Sequence, residues 1–180
     1  MPVHYTVPGL SPETAQEIIT TLQVRLSAYN DLHLTLKHVH WNVVGRNFIA
    51  VHEMLDPQVD LVRGYADEVA ERIAALGGSP VGTPGAIMRD RTWDDYSIGI
   101  DTSLAHLGAL DKVYEGVVGG NRTAFEKIES LDAVTHDMLV GQTGELEKFQ
   151  WFVRAHLEDA EGRLSVAGTH TEKEAAAKAD

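Results

Sequence analysis

Two histidines and three carboxylates within residues 37–72 have the types and spacings of a divalent-metal site. In this stretch, KHVHWNVVGRNFIAVHEMLDPQVDLVRGYADEVAER, His52 and Asp56 form an i,i+4 pair, and Asp67 and Glu71 form another. At about 100° per residue, these four positions fall near about 0°, 40°, 60° and 100° on a helical wheel. Val51, Leu55, Val59, Val62, Ala66, Val69, Ile73 and Leu76 occupy a separate stripe, at about 240–340°, so the segment reads as a helix with a core face and a ligand face. Along the axis, however, Asp56 and Asp67 are about 16 Å apart, far beyond the ~4 Å spacing of a two-metal site. One helix therefore supplies two half-sites. A copy packed antiparallel across a two-fold axis would bring positions 52 and 56 of one chain against 67 and 71 of the other. Imidazole with carboxylate suits iron or zinc, whereas an all-oxygen set would suit magnesium or calcium. His40 ends the preceding helix, and a short turn can place its ring beside that of His52. Taken singly, each residue favours an ordinary solvated helix face, with His40 as a welcome cation at a helix C-terminus. Five candidate ligand residues on one stripe and its adjoining turn favour the metal.

The elements that must position these groups follow from apolar periodicity. Ser11-Pro12-Glu13 is a helix start, with Ser at the N-cap, Pro at the first helical position and an acid in the first turn. Ile18, Leu22, Leu26, Tyr29, Leu32, Leu36 and Val39 recur in steps of three and four, predicting a first helix over about 12–41. The Val43–Asn47 stretch breaks it, and a second helix runs from about 48 to 76. A long glycine/proline loop follows at 77–85, with Trp93-Asp94-Asp95-Tyr96 expected to form a short helical turn inside the connection. A third helix is expected at about 100–118, which Gly119-Gly120-Asn121 either ends or merely interrupts, and a fourth at about 132–160. Trp151 and Phe152 read as core. The plan is an all-α four-helix bundle with a long crossover between its second and third helices. Residues 1–10 read as a short tail, 11–165 as the helical domain, and 166–180, polar and without apolar periodicity, as a flexible tail.

Bulk properties narrow the function. A single domain of 180 residues with formal net charge −12 attracts cations and is poorly suited to holding phosphate backbones. The absence of cysteine excludes disulfides, thiolate zinc sites and a cysteine nucleophile, and fits a reducing compartment. The N-terminus lacks the pattern of a signal peptide, and no apolar run approaches the ~20 residues of a membrane span, so a cytoplasmic protein without membrane contact is expected. The glycine-rich loop has no Gly-Lys-Ser/Thr to complete a phosphate loop. His52-Glu53-Met54-Leu55-Asp56 grazes the zinc-protease pattern but has Asp where the second His belongs. None of the nine histidines has Glu three positions before it, so the Glu-x-x-His element of a metal site inside a bundle core is absent and only the intersubunit site remains. His33 shares a helical face with Lys37 and His40 and reads as a packed histidine. Asn121-Arg122-Thr123 matches a glycosylation sequon but reads as a turn in this setting.

His40-Trp41-Asn42, His52-Glu53-Met54-Leu55-Asp56 and Asp67-Glu68-Val69-Ala70-Glu71-Arg72 together resemble the signature of the Dps proteins, the bacterial mini-ferritins, over about residues 12–160. The resemblance implies a ferritin-like subunit, a hollow dodecameric shell, and ferroxidase activity: oxidation of Fe(II), usually by hydrogen peroxide, with storage of ferric mineral. It implies two irons per intersubunit site. Asp67 and Glu71 of one subunit with His40 of its partner would hold the first. His52 and Asp56, partly through water, would hold a weaker second, with Glu71 available to bridge. Lys37 and Trp41 match positions flanking the ligands, where Trp41 could absorb stray oxidising equivalents. Acids near the start of the fourth helix, Asp132 and Asp137 foremost, would line a three-fold iron-uptake pore, although Glu129, Asp132, His136 and Asp137 also sit where acids complement a helix dipole.

DNA binding separates the two functional readings, iron storage with detoxification and DNA compaction with secondary ferroxidase activity. DNA-binding relatives carry basic flexible tails that release counterions from phosphates. Here residues 1–24 contain no Lys or Arg, and Lys173 and Lys178 face Glu172, Glu174 and Asp180 in the C-terminal tail. Weak or absent DNA binding is expected, in a bacterial cytoplasm on or off the nucleoid.

Overall fold

The structure, a computed structural model, describes residues 3–179; Met1, Pro2 and the tail acid Asp180 lie outside the described residues. Four long helices form the expected bundle: α1 (Pro12–Asn42), α2 (Phe48–Ala75), α4 (Ser103–Ile128) and α5 (Ala133–Ala155). Two short helices, α3 (Pro84–Asp90) and α6 (Glu172–Ala179), complete the order. Local chemistry sets the ends. Ser11 caps α1 by accepting from the Thr14 N–H at 3.1 Å, Thr102 caps α4 through Ala105 N–H at 3.1 Å, and Asp132 caps α5 through Thr135 N–H at 3.0 Å. Between α1 and α2, Gly45 and Asn47 both take positive φ, 83° and 63°, a conformation that Gly and Asn tolerate. The long crossover joins α2 to α4, and its return is pinned where strand β1 (Val43–Val44) pairs in parallel with β2 (Asp101–Thr102).

The core is the convergence of the apolar stripes, including Ile18, Leu22, Leu36, Leu55, Leu110 and Leu146. From inside it, a polar chain runs out to the exposed Glu68 and joins all four long helices. The Asn121 amide donates to the Tyr29 hydroxyl at 2.8 Å, Tyr29 donates to Gln142 at 3.0 Å, and Gln142 donates to Glu68 at 2.8 Å. Buried polar groups that satisfy one another in this way fix helix register, because any slip leaves them unpaired.

Several expectations are corrected. Gly119-Gly120-Asn121 does not break α4: Asn121 is fully buried in the polar chain, and a Cβ on Gly120 would collide with the Arg25 guanidinium. Gly120 and Asn121 serve close packing rather than termination. The helical turn in the crossover lies at α3, led by Pro84, and not at Trp93–Tyr96. Trp151 is 59% exposed, since it lies across α5 from the buried face of Leu139, Leu146, Phe149 and Val153. The N-terminal segment packs Val3, Val7 and Leu10 against the core.

The C-terminal tail is the largest correction. Instead of a flexible arm, its residues form α6, which lies against α4 with Ala175, Ala176 and Ala179 buried. Thr171 and Glu174 make a reciprocal capping box: Glu174 accepts from the His170 and Thr171 N–H groups at 2.8 and 3.2 Å, and Thr171 Oγ1 accepts from Glu174 N–H at 3.2 Å. Docking is close because α4 presents Gly108, where a Cβ would lie 2.6 Å from the Ala175 carbonyl oxygen. Lys178 donates to the Ala167 carbonyl at 2.5 Å, so one of the two tail lysines is engaged within the fold.

Candidate metal centre

The α1–α2 turn brings His40 and His52 face to face, with ring centroids 3.6 Å apart and planes at 23°. Their outward nitrogens are set by a reciprocal lock. His40 Nδ1 donates to the His52 carbonyl at 3.0 Å, and His52 Nδ1 donates to the His40 carbonyl at 2.9 Å. A carbonyl only accepts, so each Nδ1 carries a proton, and in the neutral ring each Nε2 keeps the lone pair that a metal would take. This is the arrangement of a metal-binding imidazole, whose other nitrogen is fixed by a backbone or carboxylate acceptor. The bonds run to backbone carbonyls, so no side-chain pattern announces them. Phe48 adds a ring 5.1 Å from His52, an i,i+4 contact that the sequence reading passed over.

Asp56 lies beside this pair. Its Oδ1 is 3.3 Å from His40 Nδ1 and 2.8 Å from Lys37 Nζ. The hydrogen bond and charge of Lys37 hold the Asp56 carboxyl below its ordinary range. Asp56 is therefore ionised and ready to bind a cation, yet a metal must compete with Lys37 for it. Such competition weakens whatever site Asp56 joins.

Asp67 and Glu71 stand about three to four turns beyond Asp56 along α2, both exposed, and are not gathered with the histidine pair. Among the described residues, no group of three or more His, Asp or Glu side chains in this single chain is placed to hold a metal ion. Around the histidines, Trp41, Val44, Phe48 and Ile49 are exposed large hydrophobics, with Trp41 70% accessible. Apolar side chains crowded at one turn mark a surface made to be covered.

Asp132 and Asp137, expected at a pore, differ from each other. Asp132 is committed to the fold: it caps α5, accepts from Thr135 Oγ1, and pairs with Arg72 of α2 at 2.5 Å, where the two side chains are 10% and 15% exposed. Burial alone would raise its carboxyl, but the bonds from Thr135 and Arg72 outweigh that and hold it low. Asp137 is exposed one turn on. His33 is half-buried, with Nδ1 lacking a hydrogen-bond partner among the described residues, as befits a packed histidine.

Comparison with known proteins agrees with this architecture. The sequence matches the ferritin family, described as a ferritin-like domain, over residues 19–162. A "DNA protection during starvation protein" of Mycolicibacterium smegmatis is 67% identical over 175 residues, 97% of this chain and 96% of that one. The solved structure of Mycobacterium smegmatis Dps superposes with a TM-score of 0.93 at 66% identity, covering 96% of this chain and 98% of that chain. DpsA14 from Streptomyces coelicolor gives a TM-score of 0.90 at 63% identity, covering 91% and 98%. With its four long helices and long crossover, the chain belongs to the ferritin family and, within it, to the Dps proteins.

Proposed function

We propose that this chain is the subunit of a hollow twelve-chain shell that oxidises Fe(II), preferentially with hydrogen peroxide, and stores the ferric product. The observation that carries the reading is the reciprocal carbonyl lock, which presents two imidazole Nε2 atoms side by side. Asp67 and Glu71 of one subunit and His40 of its neighbour hold the first Fe(II). His52 and Asp56 hold the second more weakly, because Lys37 competes for Asp56. Hard carboxylate oxygens stabilise Fe(III) over Fe(II) and so favour oxidation. Two Fe(II) ions each give one electron, and peroxide takes both to become two hydroxide ions, which avoids release of a hydroxyl radical. Trp41, exposed beside His40, is placed to absorb a stray oxidising equivalent. The exposed apolar side chains at the α1–α2 turn support a covering subunit, and the net charge of −12 supports cation uptake.

Mixed assembly tests the shared site. Chains carrying Asp67→Asn with Glu71→Gln, and chains carrying His40→Ala with His52→Ala, should each be inactive in rapid Fe(II) oxidation while still assembling. Co-assembled at equal ratio, half the two-fold pairs are mixed and each mixed pair has one intact site, so about a quarter of the wild-type rate should return. Recovery of no activity would mean that the site lies within one chain.

A second reading, DNA protection, is favoured by the name of the Mycolicibacterium smegmatis relative. Against tight binding stand an N-terminal segment without basic residues and a C-terminal segment folded into α6. A gel-shift titration across salt concentrations separates the two. Retardation that persists at physiological ionic strength would place DNA compaction first.

A further inference from the structure

Away from the histidine pair, α1, α4 and the crossover enclose a cavity of about 260 Å³. Arg25 lines it and is only 8% exposed. Its one hydrogen bond among the described residues is a long one, 3.4 Å from Nη1 to Asn121 Oδ1, and no carboxylate lies within ion-pair distance. A guanidinium stays protonated and carries five N–H donors. Burying it without a counter-charge costs several kcal/mol, so this side chain is held at a cost the fold does not recover by itself. Two of the other charged groups in the lining are already engaged. Asp31 accepts from Trp93 Nε1 at 2.7 Å, and Lys112 pairs with Glu115 at 2.8 Å.

The rest of the cavity describes what would fit. Leu32, Val113, Val117 and Trp93 make apolar walls. Gly116 and Gly120 leave α4 without side chains along one side, and a Cβ at Gly116 meets nothing within 4 Å. An apolar cavity of about 150 Å³ takes a benzene ring, so this one has room for a ring and a carboxylate. Asp31, Asp94 and Glu172 also line it and disfavour a second negative charge. We propose that this cavity binds a small organic monoanion, a single apolar ring or short chain bearing one carboxylate, with the carboxylate on Arg25 and the body against Leu32, Trp93, Val113 and Val117.

Benzoate is the probe, titrated calorimetrically into the assembled full-length protein, with benzamide as its uncharged counterpart. One benzoate per chain should bind with Kd at or below about 1 mM, and benzamide should bind about tenfold more weakly, since the charge-assisted bonds are lost. Arg25→Gln should weaken benzoate by a similar factor. Gly116→Leu should abolish binding by filling the cavity, while helix content, assembled mass and Fe(II) oxidation stay at wild-type values. If Arg25→Gln fails to fold, Gly116→Leu and the benzamide comparison still decide. Absence of benzoate binding to the wild-type assembly overturns the proposal, whether the cavity is too narrow or a second chain's carboxylate already sits on Arg25. Equal affinity in Gly116→Leu overturns it as well.

Discussion

Asp132 offers the clearest separation between a structural role and a role in iron passage. It caps α5 and pairs with Arg72, the residue that follows Glu71 on α2. Replacing it with Ala removes an N-cap, worth about 1 kcal/mol. It also leaves a mostly buried guanidinium without its partner, at a cost of about 3 kcal/mol, the lower end for buried pairs because Arg72 keeps 15% of its surface. The sum is about 4 kcal/mol, which for a chain of this length lowers Tm by roughly 8–16 °C. Asp132→Asn keeps an equally good cap and a neutral acceptor for Arg72, so about 1–2 kcal/mol should be lost. Thermal melts of wild type and both variants, at matched chain concentration, provide the assay. The pH dependence carries a sign. The folded carboxyl is held below its ordinary value, so its contribution is fully present above the unfolded pKa, about 3.9, and is lost as pH falls through the lower folded value. The gap between wild type and Asp132→Asn should therefore be constant from neutral pH down to about 5 and close below about 4. If Asp132→Ala melted within a degree or so of wild type and only slowed iron uptake, the structural reasoning would be wrong and the pore expectation right.

Other outcomes follow from the same geometry. Thr171→Ala with Glu174→Ala should remove the capping box and undock α6, costing about 1–2 kcal/mol locally and abolishing amide protection across 172–179 while the four-helix core keeps its protection. Gly108→Leu should displace α6 by a different route, since a Cβ there lies 2.8 Å from the Ala179 Cβ; limited proteolysis should then cut near Gly168. Tyr114→Phe should destabilise by about 1–3 kcal/mol, because the fully buried Tyr114 hydroxyl donates to Gln58 at 2.6 Å; urea denaturation at unchanged Fe(II) oxidation rate checks it.

Much of this protein was legible in one dimension. Helix α1 begins at the Ser11-Pro12-Glu13 signal, and α2 lies where its apolar stripe placed it, because capping chemistry and 3.6-residue periodicity are local properties. The separation of the His52/Asp56 pair from the Asp67/Glu71 pair along α2 was equally legible, since helical rise alone sets it. The α6 capping box was present as Thr-x-x-Glu before an alanine run, but the segment's polarity was weighed instead, and only Gly108 on a distant helix gives it somewhere to dock. Gly120 reads as part of a break until Arg25, nearly a hundred positions away, supplies the reason for its missing side chain. The orientation of the two imidazoles belongs to this second kind. Each is fixed by the other's backbone carbonyl, an acceptor common to every residue type, and so it exists only once the turn has brought α1 and α2 together.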